Sequence, residues 1–120
     1  MSPSGTILIA DDEPNIVDLL TDLLVDAHYQ VQHARTGAEA VAVILTGLPG
    51  LALIDLRHGG MSGLDVIRAV RARGSAVPVV IMTTNPEQAH ALESHGAITC
   101  LCKPFDLDDV LACVTRHIQV

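Results

Sequence analysis

Five side chains in this sequence combine a reactive type with a telling position: Asp11, Asp12, Asp55, Thr83 and Lys103. Each follows a short apolar run. Thr6-Ile7-Leu8-Ile9-Ala10 leads into Asp11-Asp12-Glu13, and Leu51-Ala52-Leu53-Ile54 leads into Asp55. Val77-Pro78-Val79-Val80-Ile81-Met82 leads into Thr83, and Ala97-Ile98-Thr99-Cys100-Leu101-Cys102 into Lys103. Short, continuous apolar runs read as strands buried on both faces, as in a parallel sheet covered by helices. Ligands of such sheets bind outside the carboxyl ends of the strands. Three carboxylates, a hydroxyl and an ammonium would therefore meet along one edge. Carboxylates crowded together repel, which raises a pKa unless a cation is bound. A hard divalent cation suits the set, since Mg2+ takes one or two carboxylates together with waters and phosphate oxygens. A lysine opposite suits a phosphoryl oxygen. A carboxylate can also act as a nucleophile and form an aspartyl-phosphate, and phosphoryl transfer needs mainly positioning and charge neutralisation.

The segments between the runs must supply that positioning. Pro14 is a favoured first residue of a helix, and Ile16, Leu19, Leu20, Leu23, Leu24 and Ala27 follow at helical spacing. Asp18, Asp22 and Asp26 mark a solvated opposite face. Tyr29 to Ala34 alternates and reads as a second strand, at an edge of the sheet. Thr36 and Glu39 form a capping-box pattern for a helix through Ala40, Val41, Ile44 and Leu45, which stops near Gly47-Leu48-Pro49-Gly50. After Gly63, Leu64, Val66, Ile67 and Val70 form an inner helical face, with Arg68, Arg71 and Arg73 outside and Gly74 as the stop. Pro86 starts a short polar helix over Glu87–His95, closed by Gly96. Asp106 or Asp108 opens a final helix with Leu107, Val110, Leu111, Val114 and Ile118 on its apolar side. Five strands alternating with five helices imply a parallel sheet with helices on both faces.

Composition narrows the function classes. A chain of 120 residues makes one domain, 1–120, with 1–5 expected as a disordered tail. The alternation reaches the end of the fifth helix and leaves no residues for an output domain. Aromatics are 2%, so Ala, Val, Leu and Ile must fill the core. A net charge of −7 with no Lys/Arg block disfavours direct binding to nucleic acid or an anionic membrane. No apolar run approaches the ~20 residues of a membrane span, and the first residues lack the charged and apolar regions of a signal peptide. Three cysteines without a C-x-x-C pattern fit reduced thiols of a cytoplasmic protein. Cys100 and Cys102 read as adjacent buried thiols rather than a redox pair. The six histidines contain no H-E-x-x-H pattern, so no histidine metal site is expected.

Taken in order and with their spacing, Asp11-Asp12-Glu13, Asp55 followed by Gly60-Met61-Ser62-Gly63, Thr83 after Val79-Val80-Ile81-Met82, and Lys103-Pro104-Phe105 resemble the receiver domain of two-component response regulators, the chemotaxis-regulator-like fold. The resemblance covers essentially the whole chain. It implies a flavodoxin-like, three-layer α/β/α fold with a five-stranded parallel sheet in the order 2-1-3-4-5. It implies Asp55 as phosphoacceptor, taking its phosphoryl group from a sensor histidine kinase or histidine phosphotransfer protein. Asp12, Asp55 and the backbone carbonyl of Arg57 would hold Mg2+ directly, with Asp11 acting through water. Thr83 and Lys103 would contact the phosphoryl group, and Pro104 resembles the family's cis-proline. Such a domain is a switch for a partner or output domain, not an enzyme beyond its own phosphoryl transfer and hydrolysis at Asp55. Three features depart from the family pattern. Gly59 stands where Pro is frequent, Cys100 stands where many members carry Tyr or Phe, and Ile98 to Cys102 has no carboxylate. The last puts dimerisation through the fourth and fifth helices in doubt. The alternative function is a phosphorylation-independent interaction module, whose signature would be a missing acceptor, lysine or acidic pair. A haloacid-dehalogenase-type phosphatase needs a second Asp two residues after the first, where this chain has Arg57.

Overall fold

Continuous apolar runs fold here as central strands, and the one alternating run folds as an edge. The structure is a computed structural model that describes residues 5–55, 61–83, 87, 91, 93, 94, 96–103 and 106–118. Its elements are β1 (Thr6–Asp11), α1 (Pro14–Asp26), β2 (Gln30–Ala34), α2 (Gly37–Gly47), β3 (Leu51–Asp55), α3 (Gly63–Ala72), β4 (Val79–Thr83), β5 (Thr99–Cys102) and α4 (Leu107–His117). All strand pairs are parallel and the order is β2-β1-β3-β4-β5, the flavodoxin-like order the resemblance implies. Between β4 and β5, the described residues Glu87, Ala91, Glu93 and Ser94 are helical, where a short helix is expected. The expected tail falls on residues of which 1–4 lie outside the described ones. Among the described residues, no helix is long and apolar enough to cross a membrane.

Alternation along the strands divides the core into two layers. Leu8, Ala10, Ala52, Ile54, Val79 and Ile81 face α2 and α3, packing with Ala40, Ile44, Val66, Ile67 and Val70. Ile7, Ile9, Leu51, Leu53, Val80 and Met82 face α1 and α4, packing with Leu20, Leu24, Val110 and Val114. Complete burial of each large aliphatic side chain is worth about 1.5–3 kcal/mol. The hydrophobic effect therefore fixes the register that brings the strand ends level.

Several boundaries and faces differ from expectation. β4 starts at Val79 rather than Val77, because Pro78 has no N–H for the ladder; its carbonyl still accepts from the Ala52 N–H at 2.9 Å. β1 extends to Asp11. Leu19 is 45% exposed, since the buried stripe of α1 runs through Leu20 and Leu24. Leu107 is also exposed, and Cys113 takes an inner place on α4. Arg71 does not simply face out: half-buried, it donates to the carbonyls of Ser75 (3.0 Å) and Gly96 (3.1 Å), tying α3 to the segment before β5. Cys102 is exposed and Cys100 half-buried, so they are not two buried thiols.

Local chemistry explains the helix ends. Thr36 Oγ1 caps α2 by accepting from the Glu39 N–H at 3.1 Å, while Glu39 reaches back to the Arg35 N–H rather than that of Thr36. Ser62 and Asp65 close a reciprocal capping box on α3. α1 ends without a glycine. The Tyr29 N–H donates to Leu24 O and that of His28 to Val25 O, with His28 in the left-handed region at φ 73°. That is a Schellman ending built on histidine.

Candidate functional site

Asp11 and Asp55 are the last residues of β1 and β3, and they are direct register partners. Adjacent strands lie about 4.8 Å apart, so the two carboxylates stand side by side. Alternation places both on the α1/α4 side, each continuing a row of apolar residues, Ile7-Ile9 and Leu51-Leu53. Both are almost fully buried, at 3% and 5% exposed. Asp12, half-buried, begins the turn into α1.

Lys103 follows β5 directly. Its backbone N–H donates to Thr83 O at 2.7 Å, which fixes the end of β5 against the end of β4. Its ammonium extends past β4 and donates to Asp55 Oδ2, forming a largely buried ion pair. Thr83, half-buried, ends β4 opposite Cys102. Sequence reasoning anticipated the convergence of these residues, but not that Lys103 would pair directly with Asp55. The expected Arg57 carbonyl ligand, Gly59 and Pro104 lie outside the described residues.

Asp11 carries the electrostatic strain of the edge. Its Oδ1 accepts from the Glu13 N–H at 2.9 Å, while its buried Oδ2 has no hydrogen-bond partner among the described residues. Burial, with Asp55 and Asp12 adding to it, pushes the Asp11 carboxyl up to about 6, although the Glu13 N–H and Lys103 act against the rise. Buried acceptors left without a partner mark strain or a place for an ion or water. Among the described residues, no three His, Cys, Asp or Glu side chains gather closely enough to enclose a metal. The neighbouring Asp11 and Asp55 carboxylates, with the Asp11 Oδ2 left without a partner among the described residues, suit Mg2+, which keeps several waters and takes few carboxylates. A cavity of about 620 Å3 lies beside Asp11 and Asp12 and is also lined by His33 and Arg35. His33 is tied to α1: Thr21 Oγ1 donates to Val17 O, so His33 Nε2 donates to Thr21 at 3.0 Å. Away from the edge, burial pushes the Cys100 thiol up to about 11, away from the reactive thiolate form.

Fold and edge together define a doubly wound α/β domain with buried acids and one lysine at its carboxyl-terminal rim. The model of the response regulator receiver domain matches residues 7–115, and the chain belongs to that family. Sporulation initiation phosphotransferase F of Bacillus subtilis (strain 168) is 32% identical over 116 residues, covering 95% of this chain and 94% of the relative. The DNA-binding transcriptional regulator NtrC of Escherichia coli (strain K12) is 32% identical over 117 residues. That match covers 96% of this chain but 25% of NtrC, so the chain corresponds to about a quarter of the longer relative. Among solved structures, Thermotoga maritima TrrA in complex with Mg(2+)-BeF is 29% identical, with a TM-score of 0.85 over 94% of this chain and 98% of that one.

Proposed function

We propose that Asp55 is the phosphoacceptor of this receiver domain, in a cytoplasmic pathway fed by a histidine kinase or histidine phosphotransfer protein. The observation that carries the reading is the buried Asp55–Lys103 pair beside the Asp11 oxygen that has no partner among the described residues. Asp12, Asp55 and the Arg57 carbonyl would hold Mg2+ directly and Asp11 through water; when bound, the ion neutralises charge on the transferring phosphoryl oxygens. Asp55 attacks phosphorus in line, and the bond from phosphorus to the donor's leaving nitrogen breaks as the acyl phosphate forms. Lys103 starts on Asp55 and passes to a phosphoryl oxygen, so the charge it neutralises is transferred rather than newly buried. The Thr83 hydroxyl donates to a second phosphoryl oxygen. Water reaching the same edge returns Asp55 to its free form, so the only chemistry is on the domain itself. Phosphorylation then biases the domain between two states that a partner or output domain distinguishes.

The test is a two-dimensional amide spectrum titrated with Mg2+ and then with beryllofluoride. Residues 11, 12, 55, 83 and 103 should shift first and most, and Asp55→Asn should lose the beryllofluoride response. Shifts centred elsewhere, or an unaltered response in Asp55→Asn, would exclude this site.

A further inference from the structure

We propose that the cavity between the ends of α2 and α3 docks an acidic, apolar peptide segment of a partner protein. The two helices end differently. α3 ends on Gly74 at φ 82°, with the Gly74 N–H donating to Arg71 O and the Ser75 N–H to Val70 O, both at 3.0 Å. Glycine takes that ending without side-chain strain. α2 instead puts Leu48 in the left-handed region, at φ 45° and ψ 55°, although Gly47 stands next to it. A residue with a Cβ is disfavoured there. Burial does not offset the strain, because Leu48 is 63% exposed, more than any other described large apolar residue. A strained backbone that holds an apolar side chain out in water points to a function for that side chain.

Leu48 stands on the lip of a cavity of about 380 Å3, whose apolar lining includes Leu45, Pro49 and Val77. Arg73 is the one charged residue among the described residues that line it. Its walls are firm: Arg71 Nη1 donates to Ser75 O at 3.0 Å, and Ser75 Oγ accepts from the Val77 N–H at 3.2 Å. The charge around it runs against that of the chain. The net charge is −7, yet no Asp or Glu occurs in residues 40–54 or 66–83, and Arg68, Arg71 and Arg73 are three of the seven basic residues. A carboxylate beside an apolar side chain complements a rigid apolar hollow with a cation at its rim. The chain itself carries such a pair, exposed Val25 beside exposed Asp26, but two copies at −7 each repel, so the occupant is a different protein. Pro49 and Gly50 lead into β3 and Val77 and Pro78 into β4, so the cavity lies at the opposite end of the parallel strands from Asp55 and Thr83. Four residue steps, about 13 Å, separate Leu51 from Asp55. A docked partner therefore leaves the carboxyl-terminal rim open, and the proposal stands independently of the chemistry there.

Amide spectra of the whole chain, titrated to about 5 mM with the capped peptide acetyl-Asp-Phe-Asp-Leu-Asp-amide, test this. Shifts should centre on residues 44–49 and 73–77. The same peptide with Lys for each Asp, or with Ser for Phe and Leu, should leave those residues unmoved. Leu48→Gly should weaken binding about tenfold, the value of one apolar anchor, while raising the urea midpoint, because it relieves the left-handed strain. Leu48→Asn, which tolerates that conformation, should lose binding likewise and keeps the test standing if the glycine variant does not fold. Arg73→Gln should weaken binding about two- to fivefold at low salt and not at about 1 M salt. No shift at these residues, or equal shifts with the Lys peptide, overturns the proposal. So does a Leu48→Gly chain that binds as the parent does, or one that is less stable than the parent, since Leu48 would then serve the fold alone. Sedimentation of the parent without peptide should give a monomer; a concentration-dependent mass that Leu48→Gly abolishes would overturn the partner in favour of a second copy.

Discussion

Replacing Asp11 with asparagine removes the most strained charge at the edge while keeping its shape. The amide oxygen can still accept from the Glu13 N–H, which Asp11 Oδ1 does at 2.9 Å. Burial pushes the Asp11 carboxyl up to about 6 in the folded chain, from an ordinary 3.8. A raised acid holds its proton in the folded state after the unfolded chain has released it. Its contribution to stability therefore falls as pH rises from 3.8 to about 6, and the full penalty stands above that window. The difference of about two pKa units corresponds to about 3 kcal/mol at neutral pH. For a chain of this length the unfolding entropy is about 0.25 kcal/mol/K, so the melting temperature should rise by about 12 °C. The measurement is thermal and urea unfolding of parent and Asp11→Asn in chelator, from below pH 3.8 to above pH 7. The variant's advantage should be largest at neutral pH and shrink toward acid pH. Adding Mg2+ should close the gap from the parent's side, because a ligand of the native state stabilises by RT ln(1 + [L]/Kd). A pH-independent difference, or a variant less stable than the parent at neutral pH, would refute the account of Asp11.

Three further predictions concern other elements. His28→Gly should stabilise by about 0.5–1 kcal/mol in urea unfolding, because φ 73° strains a residue with a Cβ at the end of α1. Ser62→Ala should destabilise by about 1 kcal/mol, since it opens the capping box with Asp65; an unchanged midpoint would mean that the cap contributes nothing. In hydrogen exchange with and without beryllofluoride, residues 84–95 should change more than 98–102. Cys100 is half-buried and its thiol stays protonated, so it has neither a ring to move inward nor a charge to expose.

The sheet was legible because its central strands are buried on both faces and therefore read as unbroken apolar runs. Once the runs were placed, Asp11, Asp55, Thr83 and Lys103 had to share an edge. Less legible was everything decided by side-chain geometry. Leu19 fits a helical stripe as well as Leu20 does, but only contact with the sheet selects Leu20. Arg71 reads as a surface charge until Gly96 and Ser75 offer it their carbonyls. The end of α1 was hidden because histidine occupies the position where glycine is the usual signal.

The most direct test of the central claim is the intact mass of the parent and Asp55→Asn after incubation with a small phosphodonor, with Mg2+ and with chelator. The parent should gain one phosphoryl group only with Mg2+, and the aspartyl-phosphate should map to the peptide that contains Asp55. Asp55→Asn should gain none. Equal phosphorylation of the two chains, or of the parent in chelator, would contradict a receiver site built on Asp55 and a bound cation.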